Sequence, residues 1–173
     1  MRMTGLAIAA LVAAIPLAAT AQTGTGKLDD AAIVGIFDAA NTWDINTGTA
    51  AAKRAMRADV KEFGKQLAGD HKSVQQQGRD LAKKLGVTPT PVPKDFALLK
   101  DYHDAMKKLA GLNGAEFDKT FLEHEIAYHK AVIDAVTTQF LPTIQNAELK
   151  AFVQKVAPAF QAHLKMAENL LAK

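Results

Sequence analysis

Cysteine is missing altogether from the 173 residues. No disulfide can brace the fold, no thiolate can act as nucleophile or metal ligand, and no lipid-anchor cysteine exists. Stability therefore has to come from core packing. Aromatic residues are scarce, at 6%, which argues against stacking platforms for bases or sugars. A dominant charge is lacking too: the formal net charge is +3, and the basic residues are scattered along the chain. A nucleic-acid partner would call for a concentrated basic face. Serine occurs once, as Ser73, outside any G-x-S-x-G setting, and there is no glycine-rich phosphate loop. Nucleophile triads and nucleotide cradles drop out, and no residue is assigned a catalytic role.

The apolar run that stands out lies at the start. Arg2 precedes "LAIAALVAAIPLAA", and "ATA" at 19–21 makes an A-x-A-like cleavage site before Gln22. This reads as a secretory signal peptide over residues 1–21, too short for a membrane span and with no stop-transfer segment after it. The expectation is export to the periplasm of a bacterium, with an uncleaved N-terminal anchor as the alternative. Loss of Arg2 brings the formal charge to +2. Residues 22–28, opening "QTGTGK", read as a flexible lead-in, and residues 29–173 as one domain.

That domain reads as all-α, with apolar residues recurring at threes and fours. Four long helices are expected, over about 29–52, 57–85, 116–140 and 146–171, with a shorter one over about 95–110. Asp29 or Asp30 and Asn146 suit N-caps, and Gly86 suits a helix stop. Pro142 helps end the third long helix, and Pro158 predicts a kink within the fourth. "VTPTPVPK" at 87–94 is stiff and extended, because its prolines forbid helix. A weak repeat pairs "FDAANTWD" with "FDKTFLEH" and "RADVKEFGKQLA" with "NAELKAFVQKVA". The pattern predicts a ferritin-like four-helix bundle, a doubled helical hairpin whose long middle connection carries a short extra helix.

Polar residues interrupt the apolar rows. On the second long helix the row 60, 63, 67, 71, 74, 78, 81 contains His71. On the third, the row 122, 126, 129, 133, 136, 140 is apolar except for His129. On the fourth, the row 149, 153, 156, 160, 163, 167, 170 is apolar except for His163. On the first, Phe37, Asn41, Asp44, Gly48 and Ala51 form a row with Asp44 at mid-length. At about 1.5 Å of rise per residue, all four fall near mid-bundle.

Three imidazoles and a carboxylate turned inward need partners. They either form a buried polar network or bind a cation, and that ligand set suits zinc, iron, manganese or copper. "FLEHEIAYHK" at 121–130 looks like a metalloprotease H-E-x-x-H helix, but His124 and His129 are five apart and sit about 140° from each other around a helix. They cannot share an ion as an i, i+4 pair does. His124 falls on the Phe117/Phe121/Tyr128 flank. Glu125 lies about 40° from His129 and is a candidate ligand or supporting acceptor, with a solvated role as the alternative. Asp70 reaches His71 only with a neighbour's help. His103 reads as surface and Trp43 as packing. A di-iron site needs more carboxylates than the histidine helices carry.

"LAGDHKSVQQQGRDLAKKLGVTP", "FDKTFLEHEIAYHKAVIDA" and "NAELKAFVQKVAPAFQAHLKMAENL" resemble a bacterial family of exported, uncharacterised, ferritin-like helical proteins, often labelled "predicted outer membrane protein". The resemblance covers roughly residues 30–171. It implies a helical bundle in the cell envelope and supplies no activity. Its pattern falls here on Asp44, Asp70, His71, His124, His129 and His163, with Asn46 where an acidic residue is expected. The chain itself has no β-barrel pattern. The expected function is an exported bundle binding a transition metal through His71, His129 and His163, with Asp44 or Glu125 assisting. The alternatives are a structural, stress-related envelope protein acting through a protein partner or a second copy, favoured by an apolar patch around Phe96, Leu99 and Met106, and a metal oxidase.

Overall fold

The computed structural model describes residues 28–173. The signal-peptide reading of residues 1–21, and the lead-in reading up to residue 27, lie outside the described residues. Those described are helical, without strands. The order is α1 (Asp30–Arg54), α2 (Ala58–Leu85), α3 (Ala97–Ala110), α4 (Gly114–Ala135), a π-helical turn (Val136–Phe140), α5 (Leu141–Thr143) and α6 (Ala147–Leu171).

The helix ends follow from local chemistry. The Asp29 carboxylate accepts from Ala32 N–H and the Asn146 side chain from Glu148 and Leu149 N–H, satisfying donors that a first helical turn leaves free. Gly86 ends α2 in the left-handed region, at φ 67°. α6 continues unbroken through Pro158. The third long helix differs from expectation. It reaches Thr143 through a π turn instead of stopping near Phe140. Leu141 N–H bonds to the Val136 carbonyl, five residues back. Pro142 has no N–H and its ring crowds the carbonyl four residues earlier, so the chain widens before it.

The directions of the helices follow from cross-helix pairs. Gly48 lies against Gly64 while Phe37 meets Gly78, so α1 and α2 are antiparallel. Tyr128 Oη donates to the Ala40 carbonyl, and the Asp118 carboxylate accepts from Met56 and Arg57 N–H, so α1 and α4 are antiparallel. Asp70 meets His163 and Lys84 meets Glu148, so α2 and α6 are antiparallel. Helices α2 and α4 thus run the same way, and residues 86–113 travel the length of α1 between them. Thr90 N–H bonds to the Ala31 carbonyl at 3.0 Å, Asn46 Nδ2 donates to Tyr102 Oη at 2.9 Å, and Arg54 donates to the Leu112 carbonyl at 2.7 Å. The connector touches α1 closely at Gly35, where a Cβ would lie 1.8 Å from the Thr90 carbonyl oxygen.

Two aspartates clasp the hairpin turns. Asp118, in α4, holds the Met56 and Arg57 N–H groups, between α1 and α2, at 2.8 Å. Asp30, in α1, holds Gln145 and Asn146 N–H, between α5 and α6, at 2.9 and 2.8 Å. Each hairpin turn is thereby held by a carboxylate from the other hairpin.

The apolar core falls into two halves. One gathers Ile33, Phe37, Trp43, Val153 and Phe160; the other gathers Phe63, Leu67, Phe117, Phe121 and Leu170. Trp43 packs against Phe96, Tyr102 and Tyr128, as core and not as a surface platform. Phe96 is buried, Leu99 packs against the core and Met106 is half-buried, so the apolar side of α3 is turned inward. No helix among the described residues is long and apolar enough to cross a membrane.

Candidate metal centre

Between the two apolar halves lies a polar layer, to which each of the four long helices contributes. It holds Asp44 from α1, His71 from α2, Glu125 and His129 from α4 and His163 from α6, exposed by 4, 3, 0, 1 and 3%. The imidazoles of His71, His129 and His163 come together, with ring centroids 5.1 to 5.8 Å apart. One ring nitrogen from each lies within 4.8 Å of the other two. Asp44, Glu125 and His129 form a second such group, so the two meet at His129.

Hydrogen bonds on the outer side of each ring fix which nitrogen carries the proton. His71 Nδ1 lies 2.9 Å from Asn41 Oδ1. Asn41 Nδ2 already donates to the Phe37 carbonyl at 2.7 Å, so its oxygen accepts and His71 Nδ1–H donates. His129 Nδ1 lies 3.0 Å from the Glu125 carbonyl oxygen, which can only accept. His163 Nε2 lies 3.0 Å from Asp70 Oδ2, again an acceptor. A neutral imidazole has one N–H and one lone pair. The lone pairs therefore sit on His71 Nε2, His129 Nε2 and His163 Nδ1. These are the three ring nitrogens without a hydrogen-bond partner.

Lone pairs cannot satisfy one another. The other buried side-chain atoms without partners are Asp44 Oδ1 and both oxygens of Glu125. Among the described residues, then, all the buried side-chain polar atoms left unpaired belong to this layer, and each can act as an acceptor or a metal ligand. A carboxylate stands behind each ring. Asp44 Oδ2 is 3.6 Å from His71 Nδ1, Glu125 Oε2 is 3.5 Å from His129 Nδ1, and Asp70 bonds His163. Carboxylates so placed orient imidazole ligands and raise their basicity.

Burial sets the protonation states. His71 is pushed well below the usual imidazole range by burial, then by the neighbouring His129 and His163. Burial takes His129 down to about 3, with His163 adding to the effect. Glu125 is raised to about 7 by burial, with Thr47 and Asp44 beside it opposing the rise. Asp44 is raised well above the carboxylate range by burial, then by the charge of Glu125 beside it. The metal-free layer thus favours neutral His71 and His129 and a proton kept between the two carboxyls. A tetrahedral ion with bonds of about 2.0–2.1 Å sets its ligands about 3.4 Å apart.

The remaining sequence candidates lie elsewhere. His124 is half-buried against Tyr128, with burial lowering it to about 4, and belongs to neither group. Asp70 reaches His163 and not its neighbour His71, because successive side chains on a helix diverge by about 100°. Asn46 bonds Tyr102 of the connector. His103 is exposed. Asn41 is the supporting residue that the sequence reading passed over. Its signal was its place in the inward row with Asp44, three residues away.

A family model described as a domain of unknown function (DUF4142) matches residues 15–170 of the chain. No curated protein and no solved structure matches it.

Proposed function

The chain belongs to this family of domains of unknown function, and on the geometry of its core we propose that it is an exported, ferritin-like four-helix bundle that holds one transition-metal ion. The ligands are His71 Nε2, His129 Nε2 and His163 Nδ1. The observation that carries the reading is the orientation of these three rings. Each N–H is committed outward, the nitrogens that carry the three lone pairs have no hydrogen-bond partner, and a ring nitrogen of each histidine lies within 4.8 Å of the other two. A cation satisfies all three at once. Asp44 and Glu125 assist, through the carboxylate oxygens facing His71 and His129.

Imidazole with carboxylate nearby suits zinc, iron, manganese or copper, and no thiolate competes. The ferritin-like assignment is supported by the shared direction of α2 and α4 and by the long connector between them. The paired carboxylate clasps and the weak repeat favour a doubled hairpin. Export to a bacterial periplasm is supported by the pattern of residues 1–21. Holding an ion, and not oxidising it, fits a set poor in carboxylates beside a di-iron site.

Titration of the metal-free protein with Co²⁺ tests the reading, because imidazole coordination changes the visible absorption of that ion. The wild type should saturate at one ion per chain and gain thermal stability as it does so. His71→Ala, His129→Ala and His163→Ala should each lose the signal. A hydrated-ion spectrum throughout, with an unchanged melting midpoint, rules the site out.

A further inference from the structure

The polar layer is sealed, since none of its five residues is more than 4% exposed. An ion that reaches it needs a route. One approach is a cavity of about 20 Å³ beside Asp44 and His71, walled by Ile36, Leu98, Val132, Val136, Phe140 and Phe160. Apart from those two residues and Asn41 it offers no polar group, so a hydrated cation gains nothing on entering. The other approach is the seam between α2 and α6. There Asp70 has 48% of its side chain in solvent and its Oδ2 lies 3.0 Å from Nε2 of His163, whose side chain is 4% exposed. Gln66 Nε2 reaches the same oxygen at 3.4 Å from the preceding turn of α2.

Asp70 is therefore the carboxylate that touches water on one side and a core imidazole on the other. Asp44 and Glu125 have no such exposure. We infer that Asp70 is the loading residue of the centre, drawing a hydrated divalent cation to the α2–α6 seam beside His163, from which the ion passes to the lone pair on the inner nitrogen, Nδ1. This rests on the reading that the core binds an ion. It assigns Asp70 a role in the rate of loading and not in the final capacity. The residue is a positioning group as well, since its acceptor oxygen keeps the proton of His163 on Nε2 and the lone pair on Nδ1.

Asp70→Asn separates the two roles. The amide oxygen still accepts from Nε2–H, while the charge is gone. Stopped-flow uptake of Co²⁺ by the metal-free full domain should slow about tenfold, with one ion per chain still bound at the end. The gap should shrink as salt is raised, because the attraction of an exposed carboxylate is screened. Asp70→Ala removes the acceptor too and should weaken affinity as well as slow loading. Asp80→Asn, an exposed aspartate in the same helix bonded to Gln76, should load at the wild-type rate. Equal rates for wild type and Asp70→Asn, each ending with one ion, overturn the loading role alone. A change in final content without a change in rate overturns it also, leaving Asp70 a positioning group only. A wild type that takes up no Co²⁺ overturns the metal reading beneath it.

Discussion

Replacing Glu125 with glutamine should stabilise the metal-free protein at alkaline pH and do nothing of the kind in acid. The Glu125 side chain is fully buried, neither of its oxygens has a donor, and burial raises its pKa from 4.5 to about 7. A carboxyl raised on folding binds its proton more tightly in the folded chain. Its stabilising contribution is complete below the unfolded value near 4.5 and is lost as pH rises through about 7. At about 1.4 kcal/mol for each tenfold in proton affinity, the rise amounts to about 3 kcal/mol. Glutamine has no proton to lose. Urea unfolding of wild type and Glu125→Gln, in chelator from pH 4.5 to 8.5, measures the difference directly. The stability gap should move in favour of the variant by up to about 3 kcal/mol between the two ends. A gap that stays the same at both ends refutes the argument, because it means that Glu125 does not retain its proton on folding. With a bound ion the order should reverse, since the carboxylate charge then has a cation to face.

The histidines give the opposite slope. Burial lowers His129 to about 3 and lowers His71 as well, so the unfolded chain binds more protons below its ordinary value near 6.5. The metal-free protein should lose stability as pH falls from about 6.5 toward 3, and His129→Gln should flatten that limb in thermal melts followed against pH. Gly35→Ala should cost roughly 1–3 kcal/mol or more in urea unfolding, as its methyl cannot coexist with the Thr90 carbonyl. The control Gly69→Ala, whose methyl meets nothing within 4 Å, should be neutral or gain up to about 1 kcal/mol. Asp118→Ala strands the Met56 and Arg57 N–H groups and should cost about 2–4 kcal/mol by the same assay, with Asp118→Asn recovering part of it.

What a single chain reveals about itself here depends on range. The caps at Asp29 and Asn146, the stop at Gly86 and the rows containing His71, His129 and His163 are local patterns. They were readable because helix geometry fixes which residues share a face. The π turn before Pro142 was not readable. It depends on Leu141 finding the Val136 carbonyl instead of the one four residues back. Nor were the partners of the rings. That Asp70 meets His163, that Asn41 takes the proton of His71, and that Asp118 and Asp30 clasp turns in the opposite hairpins are all matters of register between helices. Register is set by how side chains interlock across the core, as where Gly48 and Gly64 let α1 and α2 approach closely. The placement of Glu125 shows the same limit. Its position 40° from His129 allowed a solvated role or an inward one, and packing against α1 put it at 0% exposure beside Asp44.

The central claim is that one ion sits among three imidazoles drawn from α2, α4 and α6. Elemental analysis of the purified mature protein, washed free of loosely held ions, tests it most directly. The wild type should carry close to one zinc, iron, manganese or copper ion per chain, and His71→Ala, His129→Ala and His163→Ala should carry none while keeping their helical content. Metal content that is the same in the wild type and in all three variants contradicts the account.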